Sequence, residues 1–335
     1  MNNESRTEPT PPLLSVDGLS VEYPMSSVLV ARLMRRDPVV LRAVNDVSFD
    51  VRSGESIGVV GESGCGKSTL AQAIIGLTKP TSGEVRLDGK PLRQERDRAT
   101  RRRIQMVFQD PGSSLDPKMR VGDAIAEVLR FHRLRSGADV DARCRELLDL
   151  VELPASALGR RPGVLSGGQR QRVAIARALA VEPDILIADE AVAALDVSVQ
   201  ASTLNLLNDL RSRLGLTMLF ISHDLGVVRQ VTDRVMVLYL GRIVEDQPTS
   251  ALFDHPLHPY SQALLAAAPN FSRTKKPGES ALSGEVPSAM SLPTGCAFQT
   301  RCPVVIDACR QDRPELSGAD ARHLAACHVM TAASP

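Results

Sequence analysis

The chain has 335 residues, 43% hydrophobic and only 3% aromatic with no Trp, enough for a sizeable core built largely from Leu, Val, Ile and Ala. Forty basic residues against thirty-nine acidic ones leave a net charge of +1, so there is no global field for nucleic acid and such a role would need a local patch. No apolar run approaches the ~20 residues that span a bilayer, and the polar, Pro-containing segment 1–12 lacks a signal-like apolar centre. The chain is therefore expected to be soluble and cytoplasmic, with a disordered N-terminus.

Residues 13–23 alternate (Leu14, Val16, Leu19, Val21) and predict an edge strand closing on Tyr23. From Pro24 to Pro38 the pattern breaks into an apolar patch at Val28 to Val30 and a basic run, Arg32, Arg35 and Arg36. This reads as an inserted hairpin or short helix with a solvated basic face; contact with anionic lipid or a membrane partner is the sharper alternative. Val44, Val47, Phe49 and Val51 then alternate as a strand that leads through the turn at Ser53-Gly54.

The next stretch organises the chain. Ser56 to Val60 reads as a short buried strand, Thr69 to Ile75 as the first turns of a helix, and Gly61-Glu62-Ser63-Gly64-Cys65-Gly66-Lys67-Ser68-Thr69 lies between them. The stretch fits the phosphate-binding pattern G-x-x-x-x-G-K-[ST]. Its glycines let successive backbone N–H groups turn inward around a phosphate, and the helix N-terminus adds positive dipole at the same place. Lys67 would reach the β- and γ-phosphates, with the Ser68 hydroxyl on Mg²⁺.

Six arginines (Arg93, Arg96, Arg98, Arg101, Arg102, Arg103) follow, broken up by Glu95 and Asp97 with no aromatic platform, and predict a solvated charged loop rather than a nucleic-acid patch. Ile104 to Asp110 is an apolar strand whose end carries Gln109, placed to approach a nucleotide metal or attacking water. Residues 121–160 switch to helical spacing. Ser166-Gly167-Gly168-Gln169 then opens an Ala-rich helix, with Ser166 a plausible N-cap. Ile185 to Ala188 puts four apolar residues, a central parallel strand, before the paired acids Asp189 and Glu190. Asp189 would hold Mg²⁺ and Glu190 would orient or deprotonate a water. A further strand, Met218 to Ser222, ends on His223, which fits γ-phosphate sensing.

Together, Gly61 to Thr69, Gln109, Leu165 to Gln169, Asp189-Glu190, Leu195-Asp196 and His223 resemble the nucleotide-binding subunit of an ABC transporter over residues 13 to about 250. The resemblance implies an α/β P-loop ATPase core with an antiparallel β part, a helical subdomain at about 111–170, and a C-terminal extension over 251–335. It further implies a head-to-tail dimer with two ATP molecules between P-loop and signature motif. Ser166 and Gly168, with Gly167, Gln169 and Asp196 beside them, would serve the ATP of the other protomer, and Tyr23 would stack on adenine. His258 to Leu265, Pro293 to Phe298 and Arg301-Cys302-Pro303 are similar to the tail of dipeptide/oligopeptide importer ATPases, a group including nickel and glutathione importers. Leu282 to Ser288 and Gln109 to Pro117 look most like the subunit that pairs with a second, non-identical ATPase. Two membrane permeases, an extracytoplasmic substrate-binding protein and a site on the cytoplasmic face of the membrane are then implied.

The spacing of Cys296, Cys302, Cys309 and Cys327 says only that four thiolates could converge. The importer resemblance implies a [4Fe-4S] cluster, with Zn²⁺ and unliganded buried thiols as alternatives. Two places depart from the family pattern. Ala191-Val192-Ala193 lacks the usual proline and hydroxyl, and Gly163-Val164 replaces a polar pair before the signature. Two other readings are a soluble ABC protein acting on DNA or ribosomes, which usually needs a coiled-coil insertion or two cassettes, and a non-hydrolysing partner that completes another subunit's site.

Overall fold

A computed structural model of the chain describes residues 11–25, 39–193, 195–268, 284–320 and 322–331. The expected insert with Val28 to Val30, Arg32, Arg35 and Arg36 lies outside the described residues, as do residues 1–10 and Leu282-Ser283.

Period-two alternation builds the first sheet. Strand β1 (Leu14–Pro24) buries Leu14, Val16, Leu19 and Val21 and pairs antiparallel with β2 (Val40–Val51), Leu14 opposite Val51 and Tyr23 opposite Leu41. β3 (Ser56–Val60), buried at every position, enters the other sheet. β4 (Ser82–Leu87) pairs with the free side of β1, and β5 (Lys90–Pro91) follows it, giving the order β2-β1-β4-β5. β1 is thus interior, not the expected edge strand: alternation marks one buried face, which edge and interior antiparallel strands share.

The second sheet adds β6 (Ile104–Val107), β7 (Ile185–Asp189), β8 (Thr217–Ile221), β9 (Arg234–Tyr239), β10 (Arg242–Pro248), β11 (Ser317–Asp320) and β12 (His323–Ala325). Its order is β11-β12-β10-β9-β3-β8-β7-β6. From β9 to β6 the strands run parallel, whereas β10, β12 and β11 attach antiparallel. The two faces of these strands feed two cores. Leu186, Met218 and Phe220 pack on one side, Ile185, Ile187, Leu219 and Ile221 on the other. The chain's last strands therefore extend the central sheet, Glu245 lying opposite Ala325 and Asp246 opposite Leu324.

Helical spacing over 121–160 becomes the helices Val121–Phe131 and Ala138–Leu150, which bury Ile125, Leu129, Cys144 and Leu147 against the helix Gly167–Leu179. The arginine run keeps Arg93, Arg98 and Arg101 exposed, as expected of a solvated stretch, but it is not a plain loop. Asp97 caps the short helix Arg98–Arg103, and three of its arginines or neighbours tie elements together: Arg96 donates to the Ile74 carbonyl at 2.7 Å, Arg102 to the Val181 carbonyl at 2.7 Å, and Arg103 pairs with Asp88 and Asp184. Among the described residues, no helix is long and apolar enough to cross a membrane.

Candidate active site

The loop after β3 is shaped by close backbone approaches. Gly61 (φ 153°) and Gly66 (φ 108°) have no room for a side chain, since a Cβ would stand 2.2 Å from the Leu238 carbonyl oxygen and 2.0 Å from that of Ala43. Gly66 is the N-cap of the helix Lys67–Ile75 and offers no side-chain cap, so first-turn N–H groups are left for an anion. Lys67 is buried and its ammonium donates to the Gly61 and Glu62 carbonyls at 2.8 and 3.0 Å. Cys65 packs beneath it, its thiol pushed up by burial despite the nearby lysine, a neutral packing group rather than a reactive one. Glu62 turns away from the cradle. Its carboxylate pairs with Arg301 of the C-terminal region.

The parallel strands deliver the acids to the same edge. β7 ends on Asp189, whose Oδ1 accepts from the Ser68 hydroxyl at 3.0 Å. Burial pushes the Asp189 carboxyl up, while the Ser68 bond and Lys67 pull it down. Glu190 follows in a left-handed conformation (φ 47°), its N–H bonded to the Ile221 carbonyl at 2.9 Å, and this turn swings the carboxylate back over the strand ends. There Gln109 Nε2 donates to Glu190 Oε2 at 2.7 Å, and His223 Nδ1 lies 3.4 Å from Oε1. Three loops, after β6, β7 and β8, thus bring Gln109, Glu190 and His223 together at the carboxyl ends of the strands, where open α/β sheets place their ligands.

Other expected residues stand apart from this cluster. Ser166 and Gln169 close a reciprocal capping box on the helix Gly167–Leu179, and Ser166 is exposed. Gly168 sits under Val199, which a Cβ would meet at 2.3 Å, and Gly167 is near Leu195. Asp196 is the N-cap of the helix Val197–Leu214 without a side-chain cap bond. Tyr23 is 36% exposed at the end of β1. In the departing segment Ala191 and Val192 are buried and Ala193 faces out, so the outward position lacks a hydroxyl.

Cys296, Cys302, Cys309 and Cys327 do gather. The Cys296 N–H donates to the Cys309 carbonyl at 2.8 Å, and the other three thiols, after burial, help to push the Cys296 thiol up to about 11. Yet among the described residues no group of three or more His, Cys, Asp or Glu side chains is arranged to hold a metal ion. The expected cluster is thus not carried by geometry: the thiols are neighbours without forming a ligand set.

The pattern described as "ABC transporter" matches residues 44–193, and "Oligopeptide/dipeptide transporter, C-terminal region" matches residues 244–309. A probable peptide ABC transporter ATP-binding protein of Sinorhizobium fredii is 48% identical over 96% of this chain and 91% of its own length. The chain belongs to the ABC transporter ATP-binding family. A putative peptide import ATP-binding protein of Brucella ovis is 46% identical over 94% of this ABC ATPase and 97% of its own length. Among solved structures, the ATP-binding cassette MJ0796 in a dimeric post-hydrolysis state with ADP and Pi aligns with a TM-score of 0.61. It is 31% identical, with 70% of this chain and 98% of that one covered. CbiO1 of Clostridium perfringens, part of the transporter complex cbiONQ, aligns at 0.62 and 28% identity over 73% and 91%. These structural alignments leave part of the ABC ATPase unmatched. Sequence reasoning passed over Arg301 and Tyr260, both of which touch the loop. The stretches His258-Pro259-Tyr260 and Arg301-Cys302-Pro303 carry family likeness, but nothing in their spacing pairs them with Glu62.

Proposed function

We propose that this ABC ATPase powers import of di- or oligopeptides from the cytoplasmic face of the membrane, hydrolysing ATP at the interface of two ATPase chains. The observation that carries the reading is the Gln109–Glu190–His223 cluster beside the Ser68–Asp189 pair and an uncapped helix N-terminus. The loop N–H groups and Lys67 would take up the phosphates, Lys67 exchanging its two carbonyl partners for phosphate oxygens. Glu190 would orient and deprotonate the attacking water, held in place by Gln109, while His223 would donate to the γ-phosphate. Ser68, Asp189 and Gln109 are the oxygen donors that would hold Mg²⁺, and the buried Asp189 carboxylate with one hydroxyl partner fits a hard cation. Bound there, Mg²⁺ would neutralise charge on the β- and γ-phosphates. Tyr23 would stack on the base.

Ser166 to Gln169 would complete the other chain's site. In support, the N-cap Ser166 is exposed at the start of the helix Gly167–Leu179. Asp196 would line the same interface. A cavity of about 650 Å³ lined by Phe108, Val128, Phe131, Ala174 and Arg177 lies at the joint between the helical block and the sheet, Phe108 being the residue before Gln109. A permease segment seated there would push on the loop that holds the catalytic amide. A second ATPase chain of different sequence and an extracytoplasmic binding protein complete the proposed assembly.

The [4Fe-4S] cluster belongs to this reading through the importer resemblance, with Zn²⁺ as its alternative. The four cysteines supply the donors, but their present placement is not a ligand set, so no step is routed through a cluster. Affinity capture of the full chain from native membranes under anaerobic conditions tests both levels. The expected catch is two permeases and a second ATPase; iron analysis of the same sample checks the metal reading, a [4Fe-4S] centre requiring about four iron atoms per chain. Capture without any membrane protein would overturn the transport reading. Absence of stoichiometric iron and zinc would overturn the metal reading.

A further inference from the structure

The C-terminal region returns across 239 residues of sequence to grip the phosphate loop at one residue. Arg301 Nη1 and Nη2 donate to Glu62 Oε2 and Oε1 at 2.7 and 3.0 Å, a two-pronged pair in which the arginine side chain is 3% exposed and the glutamate 25%. The backbone of Glu62 is held as well, its N–H donating to the Tyr260 hydroxyl at 2.9 Å. Behind these contacts Tyr239, Tyr260 and Phe298 pack with ring centroids 4.6 to 5.4 Å apart, and the Arg301 guanidinium stands 5.9 Å over the Tyr239 ring. Val286, Pro287 and Ala289 also line a small cavity with Glu62, Ser63 and Gly64 of the loop.

A glycine-rich loop has many backbone conformations, and only those that turn its N–H groups inward hold a phosphate. Both the backbone and the side chain of its second residue are fixed by groups outside the nucleotide-binding cassette. A buried ion pair contributes little net stability compared with apolar packing of the same volume, so gluing the C-terminal region down is a weak reason for one on this loop. We propose that Arg301 and Tyr260 are positioning residues for ATP: the C-terminal region straps the phosphate loop into its binding conformation. By linkage, ATP in turn tightens the strap. The strap touches no reacting atom and acts through Glu62. This inference rests on the loop holding ATP, which the wild-type chain checks.

The test is binding of a fluorescent ATP analogue to the full chain and to its Arg301→Gln, Glu62→Gln and doubly substituted variants. Each single change is expected to weaken binding roughly tenfold, within the usual range of coupling between sites, and the double change to weaken it no further. Hydrogen exchange across residues 294–311 gives the reciprocal readout: ATP slows it in the wild type and not in Arg301→Gln. Should Arg301→Gln fail to fold, Glu62→Gln, on the loop side of the pair, carries both measurements. Folded single variants that bind within twofold of wild type, or ATP-dependent slowing that survives the substitution, would overturn the strap. A wild-type chain that binds no ATP would instead refute the functional reading beneath it.

Discussion

Glu190→Gln is expected to lower ATP turnover by the assembled complex roughly 10²- to 10⁴-fold, the range for loss of a positioned general base, while ATP binding stays intact. The substitution keeps the shape of the side chain and an oxygen for the Gln109 amide, which now donates to Oε2 at 2.7 Å. It removes the negative charge that would draw a proton from the attacking water. The left-handed backbone at Glu190 tolerates Gln as well as Glu, so the fold is unchanged by the replacement. Phosphate release and retention of labelled ATP, measured on one preparation, separate the two effects. Turnover within a few-fold of wild type would remove Glu190 from the chemistry and favour a partner that binds ATP without hydrolysing it.

Gly66→Ala is expected to cost about 3 kcal/mol of folding stability, the sum of left-handed strain and a forced shift of packed backbone, and to abolish ATP binding. The added Cβ would meet the Ala43 carbonyl oxygen at 2.0 Å, and neither strand β2 nor the helix start can give way without opening the cradle. Gly54→Ala supplies the comparison. Gly54 also has positive φ (75°), but nothing lies within 4 Å of its Cβ position, so only the backbone strain of about 1 kcal/mol applies. Denaturant midpoints for the two variants distinguish clash from strain. Equal destabilisation, with nucleotide binding retained in Gly66→Ala, would mean that the loop is not held as tightly as its carbonyl contacts indicate.

Much of this architecture was legible because its determinants are local. The phosphate loop, the paired acids after a continuously apolar strand and the histidine after the next one each sit within about ten residues of the pattern that reveals them. The parallel sheet then brings their strand ends together. What escaped was set by pairing at long range. Alternation in β1 could not reveal a neighbour on its second side, and β4 arrives more than fifty residues later. The arginine run looked solvated because Ile74, Val181 and Asp184, the partners of Arg96, Arg102 and Arg103, are spread over the chain. The same holds for Arg301, whose meaning depends on Glu62. The cysteines show the opposite limit: their gathering was anticipated, but proximity is a weaker condition than a ligand set.

The central claim is that one chain holds a phosphate cradle yet only half of a working site: in the proposed assembly Ser166 to Gln169, which take no part in the hydrogen bonds joining Gln109, Glu190 and His223, would serve another chain's ATP. ATP hydrolysis and ATP binding by the isolated chain, followed over a dilution series with its association state measured in parallel, test this most directly. The account predicts that the monomer binds ATP but that turnover per chain vanishes as dimers dissociate, returning when a second ATPase chain is supplied. Concentration-independent turnover by a chain shown to be monomeric would contradict it.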